Sequence, residues 1–589
     1  MQTNDRQIAD LMQSINSGIA QLPDFQRGWV WDDGRIKSLI ASITCNYPVG
    51  AAMFLEYGNG NIRFKYRTIE GSPAQNVTPS ELILDGQQRL TSIYASLYSQ
   101  NPVHTKTDKG KDIQRYYYID IERALDSSTD RVEAIISVPE TKMITSNFGR
   151  DIELDLSTPE KEFEHKMFPL NIILDTPKTF LWEQEYLKYH NNSVVTEYME
   201  FKTKIIMPVI QYKMPVILLD KSTPKEAVCQ VFENVNTGGI SLTVFELVTA
   251  IFAMDDFELR KDWDNRQAQF FDGDLLSIIT ATDFLTACTL LATYKKGGTV
   301  SCKKKDVLNL TLSEYRMYCE ELTTGFVEAE KILQEERIFS NKDLPYTTQF
   351  IPLAVLCTLL AEGNQIKETN IKNKIKQWYW CGVFGEMYGG ANETRYVYDV
   401  VGVMDWIADD NKLPRTVQES YFNPTRLLGL QSRLSAAYKG IMALMLKNHC
   451  QDFISGQEMD FAVYKSENID IHHIFPRAYC ESQKYEKNLW NSVVNKTPIS
   501  YSTNREIGGV APSVYLAKIE KKGKVSASVL DGYLQTHWID VNCSRTDDFH
   551  GHIISRAKMI LKAIEVATGK TIAGKDSEEV LNSFGEALI

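Results

Sequence analysis

Two adjacent histidines, His472 and His473, stand inside the stretch Asp470-Ile471-His472-His473-Ile474-Phe475-Pro476, and Asn495 and Asn504 follow about thirty residues on. If the stretch is a strand, neighbouring side chains point to opposite faces. One histidine can then hold a metal while the other meets a substrate water. The asparagines can supply a neutral oxygen ligand and a hydrogen bond that orients an imidazole ring. This combination suits phosphodiester hydrolysis with one metal ion. The alternative is a structural histidine pair on a strand edge, since short motifs recur by chance.

A second constellation lies near the N-terminus. The apolar run Glu81-Leu82-Ile83-Leu84 leads into Asp85-Gly86-Gln87-Gln88-Arg89, then into a helical pattern with Leu90, Ile93, Tyr94 and Leu97 on one face. Strand, turn and helix start make a place for phosphates, because helix ends offer unpaired N–H groups and Arg89 adds charge. Asp85 can hold a metal or position a water. The alternative is an ordinary turn with surface polar groups. Upstream, Leu22-Pro23-Asp24-Phe25-Gln26-Arg27-Gly28-Trp29-Val30-Trp31 reads as a loop. Its tryptophans suggest a packed platform that fixes Arg27. A helix over 225–236 ends in Asn236-Thr237-Gly238-Gly239, whose glycines permit close backbone approach to a ligand or merely cap the helix.

The elements that must position these residues follow from pattern and composition. At 589 residues the chain is too long for one core and should hold roughly three or four domains. No run of about eighteen apolar residues suggests a membrane helix. The polar start Met1-Gln2-Thr3-Asn4-Asp5 does not resemble a signal peptide. Ten scattered cysteines with no C-x-x-C pair suggest thiols in a reducing cytoplasm and disfavour a zinc site built on cysteine pairs. A net charge of −12 argues against a protein that coats DNA non-specifically. Residues 471–570, however, carry 14 Lys/Arg against 9 Asp/Glu, so a nucleic-acid contact fits best there. Asp32 or Asp33 should cap a helix with Ile36, Leu39, Ile40 and Ile43 facing inward. Strands are expected over 51–55, 62–67, 116–121, 132–138, 209–212, 215–219 and 492–495, and helices over 180–204 and 553–567. Residues 242–447 read as helical. The aromatics Trp378, Tyr379, Trp380, Phe384 and Tyr388 suit helix packing better than base stacking.

At this point the sequence resembles a known family. Leu22-Pro23 with Gln26-Arg27, Tyr47-Pro48, Asp85 through Arg89, and Phe232-Glu233-Asn234-Val235-Asn236-Thr237-Gly238-Gly239 resemble the N-terminal domain of GmrSD-type restriction proteins, a relative of the ParB/sulfiredoxin nucleotide-binding fold. Asp470 through Pro476, Asn491-Ser492, Asn495 through Pro498 and Thr503-Asn504-Arg505 resemble their HNH-type (His-Me finger) nuclease domain. The resemblance implies an α+β multidomain chain: a ParB/sulfiredoxin-like α/β domain over 1–240, a helical middle over 241–445, and a ββα-metal nuclease domain over 446–589. It implies a single-chain type IV-like, modification-dependent restriction endonuclease in anti-phage defence, regulated by a nucleoside triphosphate and cutting or nicking modified double-stranded DNA in the cytoplasm. A second copy of the chain is a candidate partner. Carried over by position, His473 falls on the general base and Asn495 on the residue holding its ring. His472 and Asn504 fall on the metal ligands and Arg505 on a phosphate contact. A histidine where a carboxylate is common favours Mn²⁺ or Ni²⁺ over Mg²⁺. Gln26, Arg27, Asp85, Gly86, Gln87, Gln88, Arg89, Asn236, Thr237, Gly238 and Gly239 fall on the triphosphate site, where Asp85 and Arg89 would serve hydrolysis. The rival readings are a nucleotide-switched DNA-binding protein with an inactive nuclease domain, and a toxin-like RNase.

Overall fold

The structure, a computed structural model, describes residues 2–24, 26, 28–58, 64–146, 151–223, 227–228, 243–390, 392–460, 469–523 and 525–589. It forms two compact units, residues 1–259 and 260–589.

The first unit is built on strands β1 (Gln2–Gln7), β2 (Ala20–Pro23), β3 (Ala52–Glu56), β4 (Tyr66–Arg67), β5 (Glu81–Asp85), β6 (Val103–Lys106), β7 (Asp112–Asp120), β8 (Ile135–Pro139), β9 (Met143–Ser146), β10 (Asp151–Asp155), β11 (Met167–Pro169) and β12 (Lys213–Leu219). A six-stranded mixed sheet has the order β1-β12-β3-β5-β2-β4, and β7 is the hub of a second sheet, pairing β6, β8 and β11. The apolar run 82–84 is buried because β5 lies inside the first sheet. Asp32 caps the helix Asp33–Thr44, accepting from Arg35 N–H at 2.9 Å, and Ile36, Leu39, Ile40 and Ile43 face the core as their spacing implies. Some expectations fail; the helix expected over 180–204 breaks into Thr176–Tyr189 and Val195–Phe201. Val209-Ile210-Gln211-Tyr212 is not a strand: a helix covers Met207–Gln211. This helix continues from Val195–Phe201 through a π-helical turn over Lys202–Ile206, and Pro208, which has no N–H to pair, follows that turn. The polar N-terminus, in turn, supplies an edge strand against β12. Residues 131–134 form a helical turn capped by Asp130 before β8 begins.

The second unit opens with packed helices. Phe350–Ala361 is buried on every side but its last residue. It crosses Leu312–Glu335 at Gly325, where a Cβ would run into Thr358 and come within 2.6 Å of the Ala354 carbonyl. Trp378, Tyr379, Trp380, Phe384 and Tyr388 are buried in this packing. The segments 241–445 and 446–589, expected as separate parts, share the unit from residue 260 onward. Helices Thr369–Phe384 and Ala436–Lys447 pack on the helix Phe549–Thr568, and Ala436–Lys447 also packs on β14 (Lys496–Ser500). β14 pairs antiparallel with β13 (Ile469–His473), and the helix Tyr501–Ile507 follows directly, giving the succession strand, strand, helix. The second strand thus starts at Lys496, later than expected. Val493–Asn495 is a tight 3₁₀ turn, because the Asn495 side chain bonds nearby backbone instead of leaving it to a ladder.

Candidate functional site

Strand alternation separates the two histidines as their adjacency predicts. His472 is 4 % exposed, and its Nδ1 lies 2.8 Å from Asn504 Oδ1 on the helix Tyr501–Ile507. Asp470, two residues earlier and so on the same face, accepts from Asn504 Nδ2 at 2.6 Å. A carboxylate can only accept, so this bond fixes the amide and turns its oxygen to His472. The imidazole therefore donates from Nδ1. Its Nε2 is buried and has no partner among the described residues. Burial holds the His472 pKa down at about 3, so the ring is neutral. The Nε2 lone pair points away from Asn504 and Asp470, so one ion could meet all three side chains only by replacing the Nδ1–Oδ1 hydrogen bond. Imidazole, amide oxygen and carboxylate are donor types that fit a divalent cation. Among the described residues no three His, Cys, Asp or Glu side chains converge on one point, so such a site needs the asparagine.

His473 points the other way. Its Nε2 lies 3.2 Å from Asn491 Oδ1, and its ring is tilted against Trp490 at 5.7 Å. Burial pushes its pKa below the ordinary imidazole value, and the charges of Lys496 and Arg477 push it the same way. Lys496 is the direct cross-strand partner of His473, so the two share a face. Lys496 is itself 6 % exposed, donates to the Gln431 carbonyl at 2.7 Å, and is lowered to about 8 by burial. The His473 face is thus cationic and carries a neutral base, which suits a phosphodiester.

Asn495 does not hold the histidine ring. Its side chain is fully buried and clamps the loop after β13, accepting from Phe475 N–H at 2.9 Å and donating to the carbonyls of Phe475 and Trp490 at 2.9 Å. The ring contact belongs to Asn491. Sequence reasoning gave Asn491 and Lys496 no role; the signal for Lys496 was its register opposite His473, visible only once β14 is placed. Arg505 is exposed, one residue from Asn504, its guanidinium 5.8 Å over the Tyr501 ring.

In the first unit the loop and the turn come together. Gln26 Nε2 donates to the carbonyls of Ile83 and Leu84 at 2.9 and 3.0 Å, while Gln88 accepts from Val30 N–H at 2.9 Å and Trp29 Nε1 donates to Ser92 at 3.1 Å. Gly86 adopts φ +90°, and a Cβ there would sit 3.2 Å from that of Ala52. Gln87 is buried. Arg89 faces inward, donating to the carbonyls of Val49 at 2.7 Å and Ala51 at 2.9 Å and pairing with Asp85 at 3.2 Å. Asp85 keeps 31 % of its side chain exposed at the turn. A recess of about 660 Å³ beside it is lined by Arg89, Val49 and Pro48 on one side and Arg35, Lys37 and Ser38 on the other. Arg27 and Asn236, Thr237, Gly238 and Gly239 lie outside the described residues.

Residues 8–253 match the family described as "GmrSD restriction endonuclease, N-terminal domain". Over 533 residues the chain is 28 % identical to "Uncharacterized protein MJ0686" of Methanocaldococcus jannaschii, covering 87 % of each. Residues 8–253 of the first unit are therefore similar to the N-terminal domain of GmrSD restriction endonucleases.

Proposed function

We propose that this chain is a single-chain, type IV-like restriction endonuclease that hydrolyses phosphodiester bonds of modified DNA and is gated by a nucleoside triphosphate. The observation that carries the reading is the split of the histidine pair. His472 is buried against Asn504 and Asp470, while neutral His473 stands on the opposite face beside Lys496 and Arg477. His473 takes a proton from water, whose oxygen bonds to phosphorus as the bond to the 3′ oxygen breaks. Lys496 and Arg477 favour the approach of the anionic backbone, and exposed Arg505 offers a further phosphate contact. His472 and Asn504, with Asp470 beside them, are the residues that would hold Mg²⁺, Mn²⁺ or Ni²⁺. Such an ion supplies positive charge for the developing phosphoryl and leaving oxygens. The β-β-α succession around these residues supports a His-Me finger reading of the C-terminal segment.

In the N-terminal unit, Gln26 and the Asp85–Arg89 turn support a triphosphate site, with Arg27 and residues 236–239 as its further members. Asp85, still open to solvent, is the residue to meet a ligand. Arg89 shapes the turn. Nucleotide gating is sensible because an ungated nuclease would cut its host. The test is cleavage of plasmid and of modified phage DNA across a panel of metals and triphosphates. The reading expects metal-dependent cutting of modified DNA that responds to nucleotide. Cleavage of RNA alone would replace it with a toxin-like RNase, and no cleavage with intact triphosphate binding would leave a nucleotide-switched binding protein.

A further inference from the structure

The nuclease reading leaves open which ring nitrogen of His473 takes the proton, and a chain of three hydrogen bonds decides it. The chain begins at the Leu428 carbonyl, which can only accept. Gln431 Nε2 donates to it at 3.4 Å, so Gln431 Oε1 is the atom that faces Asn491. Asn491 Nδ2 donates to Gln431 Oε1 at 3.4 Å, which turns Asn491 Oδ1 toward His473 Nε2 at 3.2 Å. An amide oxygen facing an imidazole nitrogen requires that nitrogen to carry the hydrogen. The lone pair is then on Nδ1.

The segment that begins this chain is fastened to the site twice more. Val493 N–H donates to the Leu430 carbonyl at 2.8 Å, and Lys496 Nζ donates to the Gln431 carbonyl at 2.7 Å. Residues 430 and 431 thus bond to Asn491, Val493 and Lys496. We propose that Asn491, steered by Gln431, is a positioning residue of the catalytic base: it holds His473 in the Nε2–H tautomer and leaves Nδ1 to take the proton from water. This inference rests on the nuclease reading above.

The charged groups that face His473 are Lys496 from β14 and Arg477 from the helix Arg477–Ser482, the latter paired with Glu481 at 2.7 Å. Trp490 and Asn491 face it as neutral groups. Asn491→Asp therefore adds the one negative charge at the ring. It keeps an acceptor for Nε2–H, so it should hold the Nε2–H tautomer and retain more of the wild-type kcat than a variant without the acceptor. Asn491→Leu removes the acceptor and should lower kcat by about tenfold or more with little change in KM. Gln431→Leu, at an exposed position, should lower kcat in the same direction and less. Side-chain ¹⁵N NMR of histidine-labelled full chain reads the tautomer directly: Nε2–H in the wild type, and a mixture in Asn491→Leu.

His473→Ala is the control that separates the two layers. If it cuts like the wild type, the nuclease reading itself fails. If it is silent while Asn491→Leu and Gln431→Leu keep wild-type kcat, or while His473 carries its hydrogen on Nδ1, only the positioning role is overturned. A mixed His473 tautomer in Asn491→Asp overturns it as well, and that variant retains the polar contact should Asn491→Leu fail to fold.

Discussion

At the scale of residues, a hydrogen bond decides more than residue type. His472 and His473 are the same amino acid one position apart, yet one is sealed against Asn504 and the other stands on a cationic face. His472→Asp should preserve cleavage and move metal preference toward Mg²⁺, because a carboxylate is the harder ligand. Asn504→Ala should lower metal affinity, with activity partly restored by excess Mn²⁺. Calorimetric Mn²⁺ titration of both variants reads this without relying on turnover, and unchanged affinity in Asn504→Ala would remove that residue from the metal site. His473 is held below the ordinary imidazole value near 6.5. With His473 as the base, the acidic limb of the cleavage profile should lie below about 6.5. A limb well above that value would mean that another group is the base.

At the scale of elements, turns carry the sites. The Asp85–Arg89 turn is closed by Arg89, whose guanidinium spans the carbonyls of Val49 and Ala51. Gly50, at φ +88°, leaves no room for a side chain beside it. Hydrogen bonds from a charged donor are worth about 1.5–3 kcal/mol, so Arg89→Ala should lower thermal stability of the N-terminal unit as well as triphosphate hydrolysis. Asp85→Ala should abolish hydrolysis with a smaller loss of stability. Equal stability losses in a melting experiment would contradict this division of roles. The strand and helix faces around this turn were legible, since Ile36, Leu39, Ile40 and Ile43 show plain helical spacing and 82–84 a buried run. The direction of Arg89 was not. A motif gives the residue, but only the fold shows that Val49 and Ala51 lie within its reach. The role of Asn495 was misplaced for a similar reason, because nothing in its spacing from His473 separates a ring contact from a loop clamp.

At the scale of the whole molecule, the residues around His472 and His473 and the helices before them form one unit, although a sequence boundary near 445 looked natural once the helical pattern ended. Packed helices join them, and so do single polar side chains such as Gln431, which have no periodicity to read. The same unit contains His472, His537 and His552, all buried, with burial holding their pKa values at about 3, at about 4, and well below the ordinary value, respectively. The unfolded chain takes up protons on these rings near pH 6.5 and the folded chain does not. Their contribution to stability is present above that pH and is lost as pH falls. Each adds a slope approaching about 1.4 kcal/mol per pH unit. The unit should therefore melt at steadily lower temperature from about pH 6.5 down to about 4, and a flat profile across that window would contradict the burial of these rings. Whether His473 is the base of a nuclease is decided by the rate at which full-length His473→Ala cuts modified DNA with a divalent metal present. The rate should fall by about 10²–10⁴-fold with triphosphate hydrolysis retained; cutting at the wild-type rate would remove His473 from that role.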